Sequence, residues 1–220
     1  MEDDREKVLA SIRRRLRGTD KYDAVRDSRS PLMNEFAEGF DALFETFRSE
    51  LARLGGEAVK VESEIEAARF IEARTDQNSS IFIYEDVANE RTSLAAAIKK
   101  SRAAKPGSEF PRGYDKSQVA GFDCAVSGCF ACIAETGTVV TSTGMRLPAA
   151  LAGKLFVIAD RRHLLPTLDE LFTDRFTNFV GSNMFLITGP SRTADIEKQL
   201  VKGVHGPKEV FVILLKQQEG

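Results

Sequence analysis

The chain has 220 residues, 42% hydrophobic and 29% charged, and its 31 basic and 33 acidic side chains give a net charge of −2. That length and balance predict one domain, at most two, with a sizeable buried core, and exclude a largely disordered chain. Near-neutral charge excludes a strongly basic nucleic-acid binder, and apolar runs of about six residues fall well short of the ~20 needed to cross a bilayer.

The first 30 residues carry 16 charged side chains, against 48 in the remaining 190. Val8, Leu9, Ile12 and Leu16 recur at helical spacing before Gly18-Thr19-Asp20 breaks the pattern. Residues 2–17 are therefore expected to form a short amphipathic helix on a mobile arm spanning residues 1–30, whose narrow apolar stripe needs a partner surface. The Arg13-Arg14-Arg15 run lies beside Glu2, Asp3, Asp4 and Glu6 and reads as a solvated face. The opening Met-Glu-Asp-Asp-Arg has no apolar segment, so no signal peptide is expected.

The domain proper is expected over residues 31–220. Ser30 suits a helix cap and Pro31 a first helical position. Phe36, Phe40, Leu43, Phe44, Phe47, Leu51 and Leu54 then recur at three- and four-residue steps, predicting a long helix that Gly55-Gly56 stops. Strands and helices alternate thereafter: a strand at Ala58–Val61, a helix from Ile65 to Ala73, a strand at Ile81–Tyr84 and a helix through Ile98. Later apolar runs at Leu155–Ala159, Met184–Thr188 and Val210–Leu215 do not alternate with polar residues. Strands apolar on both faces belong inside a three-layer α/β/α sandwich with a mostly parallel sheet. A helix pattern from Asp195 to Lys202 predicts a βαβ unit linking the last two strands. Residues 99–116 carry Pro106, Gly107, Pro111 and Gly113 and six basic side chains, so they read as a surface loop.

Four constellations could carry chemistry. Cys124, Cys129 and Cys132 have the C-x4-C-x2-C spacing of an iron–sulfur loop, but a fourth thiolate is missing. Their setting, two apolar strands at Asp123–Val126 and Ala131–Ala134 around a Ser-Gly-Cys turn, favours packing over metal binding. Three cysteines are also no disulfide framework, so a reducing cytoplasm is the expected compartment. The Glu135-Thr136-Gly137-Thr138 turn offers a carboxylate for acid–base work beside two hydroxyls, or simply a self-satisfied hairpin. Gly189-Pro190-Ser191-Arg192-Thr193-Ala194-Asp195 follows a strand and opens the predicted helix. Its free amides, hydroxyls and the Arg192 fork would suit a carboxylate or phosphate, while Asp195 would repel one, so a capped helix start is an equal reading. Finally, His205 in the Gly203–Lys208 loop could carry a proton or tie a turn.

Together, Ala134–Thr138, Gly189–Glu197 and Gly203–Glu209 resemble the LUD-domain family, in its lactate-utilisation protein C type, over roughly residues 30–220. The resemblance implies a fold similar to that of the sugar-phosphate isomerases and coenzyme A transferases. It also implies action beside an iron–sulfur subunit and a cysteine-rich subunit in oxidising L-lactate to pyruvate, with no cofactor in this chain and clusters in the partners. Where the family places a histidine after a Leu-Pro element, Lys154 stands near the corresponding position here, following Arg146-Leu147-Pro148.

The reading that results is a component of a lactate-oxidising system with a small-anion pocket at the carboxyl ends of the strands. Thr136, Gly137, Thr138, Gly189, Ser191, Arg192, Thr193, Asp195 and Gly206 would bind the ligand, and Glu135 or His205 would handle protons. Metal ligands, nucleic acid and a membrane span are not expected. The alternatives are a stand-alone transferase or isomerase using Glu135 on a phosphorylated or coenzyme A substrate, and a non-catalytic assembly module docking through its arm.

Overall fold

The computed structural model describes residues 39–101, 122–142, 152–172, 184–194, 200–202 and 206–216. The predicted arm helix, the start of the long helix at Pro31, nearly all of the basic loop, Asp195 and His205 lie outside them.

Five parallel strands make the central sheet: β1 (Glu57–Val61), β2 (Ile81–Ile83), β3 (Cys124–Ser127), β6 (Lys154–Asp160) and β11 (Glu209–Leu215), in the order β1-β11-β6-β3-β2. β11 and β6 pair along their full length, from Glu209 opposite Lys154 to Leu215 opposite Asp160. Successive side chains point to opposite faces of a strand, so an apolar run feeds two cores at once. Leu155, Val157, Ala159, Val212 and Leu214 pack on one face, and Phe156, Ile158, Phe211, Ile213 and Leu215 on the other. Phe156 and Phe211 stack with ring centres 4.8 Å apart.

Three helices cover the second face: α2 (Glu64–Ala73), α3 (Glu85–Glu90) and α4 (Thr92–Ser101). Ser63 caps α2 by accepting the Glu66 amide at 3.2 Å, which satisfies one of the free amides of the first turn. The Glu64 carboxylate reaches across to accept the Leu94 amide at 2.9 Å near the start of α4. On the first face lies α1 (Phe40–Arg53), which buries Phe44, Phe47 and Leu51. Beside α1 stands a second sheet, ordered β7-β4-β5-β8 and built from β4 (Ala131–Ile133), β5 (Thr138–Ser142), β7 (Leu164–Leu165) and β8 (Met184–Ile187). Its outward side has a small core of its own, with Ala131, Ile133, Val140, Leu165 and Leu171. The α/β architecture and the mostly parallel sheet are as expected from the sequence, as are α1 and strands β1, β2, β6 and β11.

Three local expectations are corrected. Met184–Ile187 is not a central strand: it pairs antiparallel with β5 in the second sheet, leaving Leu186 47% exposed. The segment expected as a helix from Asp195 to Lys202 ends in a strand. β9 (Arg192–Ala194) and β10 (Leu200–Lys202) form an antiparallel ladder that sets Thr193 opposite Val201, both β-branched residues that suit strands. No βαβ unit therefore links β8 to β11. The helix expected through Ile98 breaks at Arg91, whose backbone leaves the helical region. The two cysteine-bearing runs are strands, as expected, and belong to different sheets.

Candidate functional site

Among the described residues, Gly137, Gly189 and Arg192 of the expected motifs lie around the C-terminal end of α1. After β4, one 3-10 turn at Ala134–Thr136 leads to Gly137, whose φ of 62° lies in the left-handed region. A Cβ there would sit 2.4 Å from the Leu51 amide nitrogen. Glycine is thus required twice, for its backbone angle and for a backbone-to-backbone approach. Gly189, with φ 82°, also has no room for a side chain, since a Cβ there would sit 2.8 Å from the Leu54 Cβ. Thr136 donates to the Thr138 hydroxyl at 2.7 Å, and Thr138 and Thr188 share a hydrogen bond of 2.9 Å. Ser191 donates its amide to the Pro207 carbonyl at 2.8 Å, and Gly206 packs against the Ser191 side chain.

This cluster lies beside the segments that lead into β1 and β11, so it marks the amino ends of the parallel strands, not the carboxyl ends. Arg192 begins a strand, not a helix, which removes the expected helix N-terminus as an anion site. Its Nη2 donates to the Leu54 carbonyl at 2.6 Å, tying down an end of α1 that would otherwise leave carbonyls unpaired. Glu135 accepts the Leu168 amide at 2.7 Å, capping the short helical turn at Leu168–Glu170. Lys154, where the family histidine was expected, donates to the Arg74 carbonyl at 2.7 Å.

A different site occupies the carboxyl ends of β2, β3 and β6, where open parallel sheets gather their ligands. Asp86, Val87, Glu90, Arg91, Gly128, Cys129, Ile158 and His163 line a cavity of about 120 Å³, roughly four water volumes. Each wall follows from local structure. Tyr84 ends β2 and starts α3, bringing Asp86 and Glu90 to the rim. The break between α3 and α4 frees Arg91 to reach Asp160 at 2.9 Å. Past β6, a single 3-10 turn at Arg161–His163 folds His163 back over the strand end.

Asp160 organises this end of the sheet. It is 3% exposed and faces two guanidinium groups and an imidazole: Arg91 at 2.9 Å, Arg162 at 2.8 Å and His163 at 3.0 Å. Burial alone would raise its carboxyl, but the hydrogen bonds from His163 and Arg162 more than reverse that and hold it well below the usual carboxylate range. Burial likewise works against charge on His163, yet its bond to Asp160 and its proximity to Cys129 raise it above the ordinary imidazole value. His163 Nδ1 lies 3.1 Å from the Asp160 amide and 3.0 Å from its Oδ1. A ring bare at Nδ1 accepts from the amide, and a ring carrying a proton there, neutral or charged, donates to the carboxylate.

Asp86 has the opposite setting. Burial pushes its carboxyl up, and amide bonds from Val87 and Gly128 offset this only in part. Oδ2 accepts the Gly128 amide at 3.2 Å, while buried Oδ1 has no partner. The cavity thus joins a carboxyl and an imidazole, both shifted upward, and a thiol. That set can move protons on a small bound molecule. Among the described residues, no group of three or more His, Cys, Asp and Glu is placed to hold a metal ion. Cys124 packs on one face of the central sheet and Cys132 on the other, so the C-x4-C-x2-C spacing does not converge.

Sequence reading missed this cavity because Asp86, Cys129 and His163 come from three separate segments. The available signal was the Asp160-Arg161-Arg162-His163 run directly after an apolar strand.

Residues 44–215 match the sequence profile of the LUD domain. An uncharacterized protein of Neisseria meningitidis serogroup B is 30% identical over 98 residues, covering 42% of this chain and 42% of that protein. Lactate utilization protein C of Bacillus subtilis strain 168 is 33% identical over 94 residues, 39% of each. The matched region thus spans about two fifths of the length of these curated relatives. A solved DUF162 family protein from Deinococcus radiodurans superposes with a TM-score of 0.52 at 14% identity, over 81% of this chain and 99% of that one. That likeness concerns the fold.

Proposed function

The chain belongs to the LUD domain family, and on that premise we propose that it serves a lactate-utilisation system. In this reading it is the cluster-free, cytoplasmic partner of iron–sulfur and cysteine-rich subunits that oxidise L-lactate to pyruvate. The observation that carries it is the similarity to the Bacillus lactate utilization protein C. The dispersal of the cysteines over two faces of the sheet supports placing the clusters elsewhere. The test is a tagged pull-down from native cells grown on lactate, with iron quantified in the eluate. Iron arriving with a cysteine-rich partner supports the reading. An iron-free chain eluting alone overturns it.

The small carboxylate of this reading is assigned to the cavity at the carboxyl ends, where His163 and Asp86, both shifted toward their protonated forms, line the same space. The threonine cluster at the amino ends is the competing location, with Arg192 as its cation. Ligand-induced thermal stabilisation with lactate, pyruvate and inorganic phosphate separates them. A ligand at 100 times its Kd adds about 2.7 kcal/mol, or roughly 5–10 °C for a domain of this size. The shift should survive Arg192→Ala and vanish in His163→Gln. The reverse result moves the anion to the threonine cluster.

A stand-alone transferase or isomerase is the second reading, and the Asp86–His163 cavity is the observation that favours it. Turnover of a phosphorylated or coenzyme A substrate by the isolated chain, lost in Asp86→Asn, would establish it.

A further inference from the structure

Two of the three cysteines stand together at the edge of the cavity. Cys129 lies between β3 and β4 and lines the cavity wall. Cys132 lies in the middle of β4 and is fully buried. Their sulfurs are 3.7 Å apart and both are free thiols. A disulfide needs about 2.05 Å between sulfurs, so closure asks for a shift of under ~2 Å, within reach of side-chain rotation and a small movement of the Gly128–Phe130 connection. Cys124, at the start of β3, packs in the other core and has no part in this pair.

We infer that Cys129 and Cys132 are a dithiol–disulfide couple, in which Cys129 is the residue a small peroxide attacks through the cavity and Cys132 is the resolving thiol. The division of labour follows from access: one sulfur borders open space, and the other is reachable only from its neighbour. In the first step the Cys129 thiolate displaces hydroxide from hydrogen peroxide, giving a sulfenic acid, and the hydroxide takes up the thiol proton as water. In the second, the Cys132 sulfur attacks the Cys129 sulfur and expels a second water. Two thiols and one peroxide thus become one disulfide and two waters.

Neutral His163 carrying its proton on Nδ1, donated to Asp160 Oδ1, has a bare Nε2 and is the group placed to receive the first proton. It lines the same cavity, and its Nδ1 is turned to the Asp160 carboxylate and amide. Asp160 therefore steadies the imidazolium that forms. Hydrogen bonding to Cys132 and burial push the Cys129 thiol well above its ordinary range. The unassisted thiolate is scarce, and the couple responds to sustained oxidant more than to a trace. This inference does not depend on which anion, if any, the cavity takes, and its test needs neither lactate nor partner subunits.

The experiment uses the full chain, reduced, freed of reductant and treated with hydrogen peroxide. Remaining thiols are alkylated under denaturing conditions and located by peptide mass spectrometry. The expected result is loss of both alkylatable thiols from the Cys129–Cys132 peptide with Cys124 retained, and full recovery after dithiothreitol. Cys132→Ala should then accumulate a dimedone-trappable sulfenic acid at Cys129, and His163→Gln should slow the loss in an otherwise wild-type chain. Retention of both thiols, or oxidation of Cys124 first, overturns the inference. Should Cys132→Ala fail to fold, the wild-type peptide map decides alone, because it distinguishes the three cysteines without any variant.

Discussion

Asp160→Asn tests the electrostatic core of the carboxyl-end site. The substitution keeps the side chain's shape and removes its charge, leaving Arg91, Arg162 and His163 without their common counter-ion. Breaking a fully buried pair costs about 3–5 kcal/mol, but these cations keep some contact with water, at 24%, 62% and 22% exposure. Charge-assisted bonds to Arg91 and His163 are worth about 1.5 kcal/mol each, and the largely exposed Arg162 pair adds ~0–1 kcal/mol. The loss should therefore be about 3 kcal/mol, a Tm drop of roughly 6–12 °C at pH 7. The sign of the pH dependence follows from the depressed carboxyl. Its contribution is complete above the unfolded value of about 4 and fades as pH falls toward the folded one. The gap between wild type and variant should therefore narrow below about pH 4. His163 works the other way: its raised value adds stability below about 6.5 that is lost as pH rises through the folded value, so the gap should be somewhat wider at pH 6 than at pH 9. Thermal melts by circular dichroism across pH 3–9 read both. A drop under about 2 °C at pH 7, or a gap that does not change with pH, would refute the reasoning.

His163 itself should titrate above the ordinary imidazole value by NMR in the wild type and below it in Asp160→Asn, since burial persists when the carboxylate is gone. Asp86→Asn should be neutral or stabilising at pH 7, because its raised carboxyl costs the folded state once ionised; a clear Tm decrease would count against that assignment. Gly137→Ala adds left-handed strain of about 1–2 kcal/mol and drives a Cβ into the backbone of α1. A loss of about 2–5 kcal/mol is expected, read by urea unfolding, and a neutral result would contradict the contact.

Legibility in the sequence followed the physics of each element. β6 and β11 were readable because burial on both faces leaves an unbroken apolar run, as at Phe156-Val157-Ile158 and Val212-Ile213-Leu214. α1 was readable because Phe44, Phe47 and Leu51 keep helical spacing. β8 was misplaced because Met184-Phe185-Leu186-Ile187 has the same run without the same burial; Leu186 faces outward. The segment before β11 has apolar residues at helical spacing, yet cross-strand pairing of Thr193 with Val201 prevails over that local pattern. The threonine cluster was legible as a set of motifs but not as architecture: nothing in Gly137 or Arg192 alone announces the end of α1 as their partner. The carboxyl-end cavity was hidden because its chemistry arises from tertiary neighbours. His163 is unremarkable in the chain until Asp160 and Cys129 are seen beside it.

The position of β11 constrains how this sheet can be assembled. β1 has β11 as its one ladder partner among the described strands, and β11 also joins it to β6. Residues 57–61 thus wait for residues 211–215, some 150 positions later in synthesis. A nascent chain extended only to residue 208 could pair β6, β3 and β2, but β1 would present two open edges, a known route to self-association. Such long-range closure makes for slow folding. Fragments cut before β11 should remain incomplete until a peptide carrying residues 209–215 is supplied, and that peptide should insert between two strands already made, not add to an outer edge.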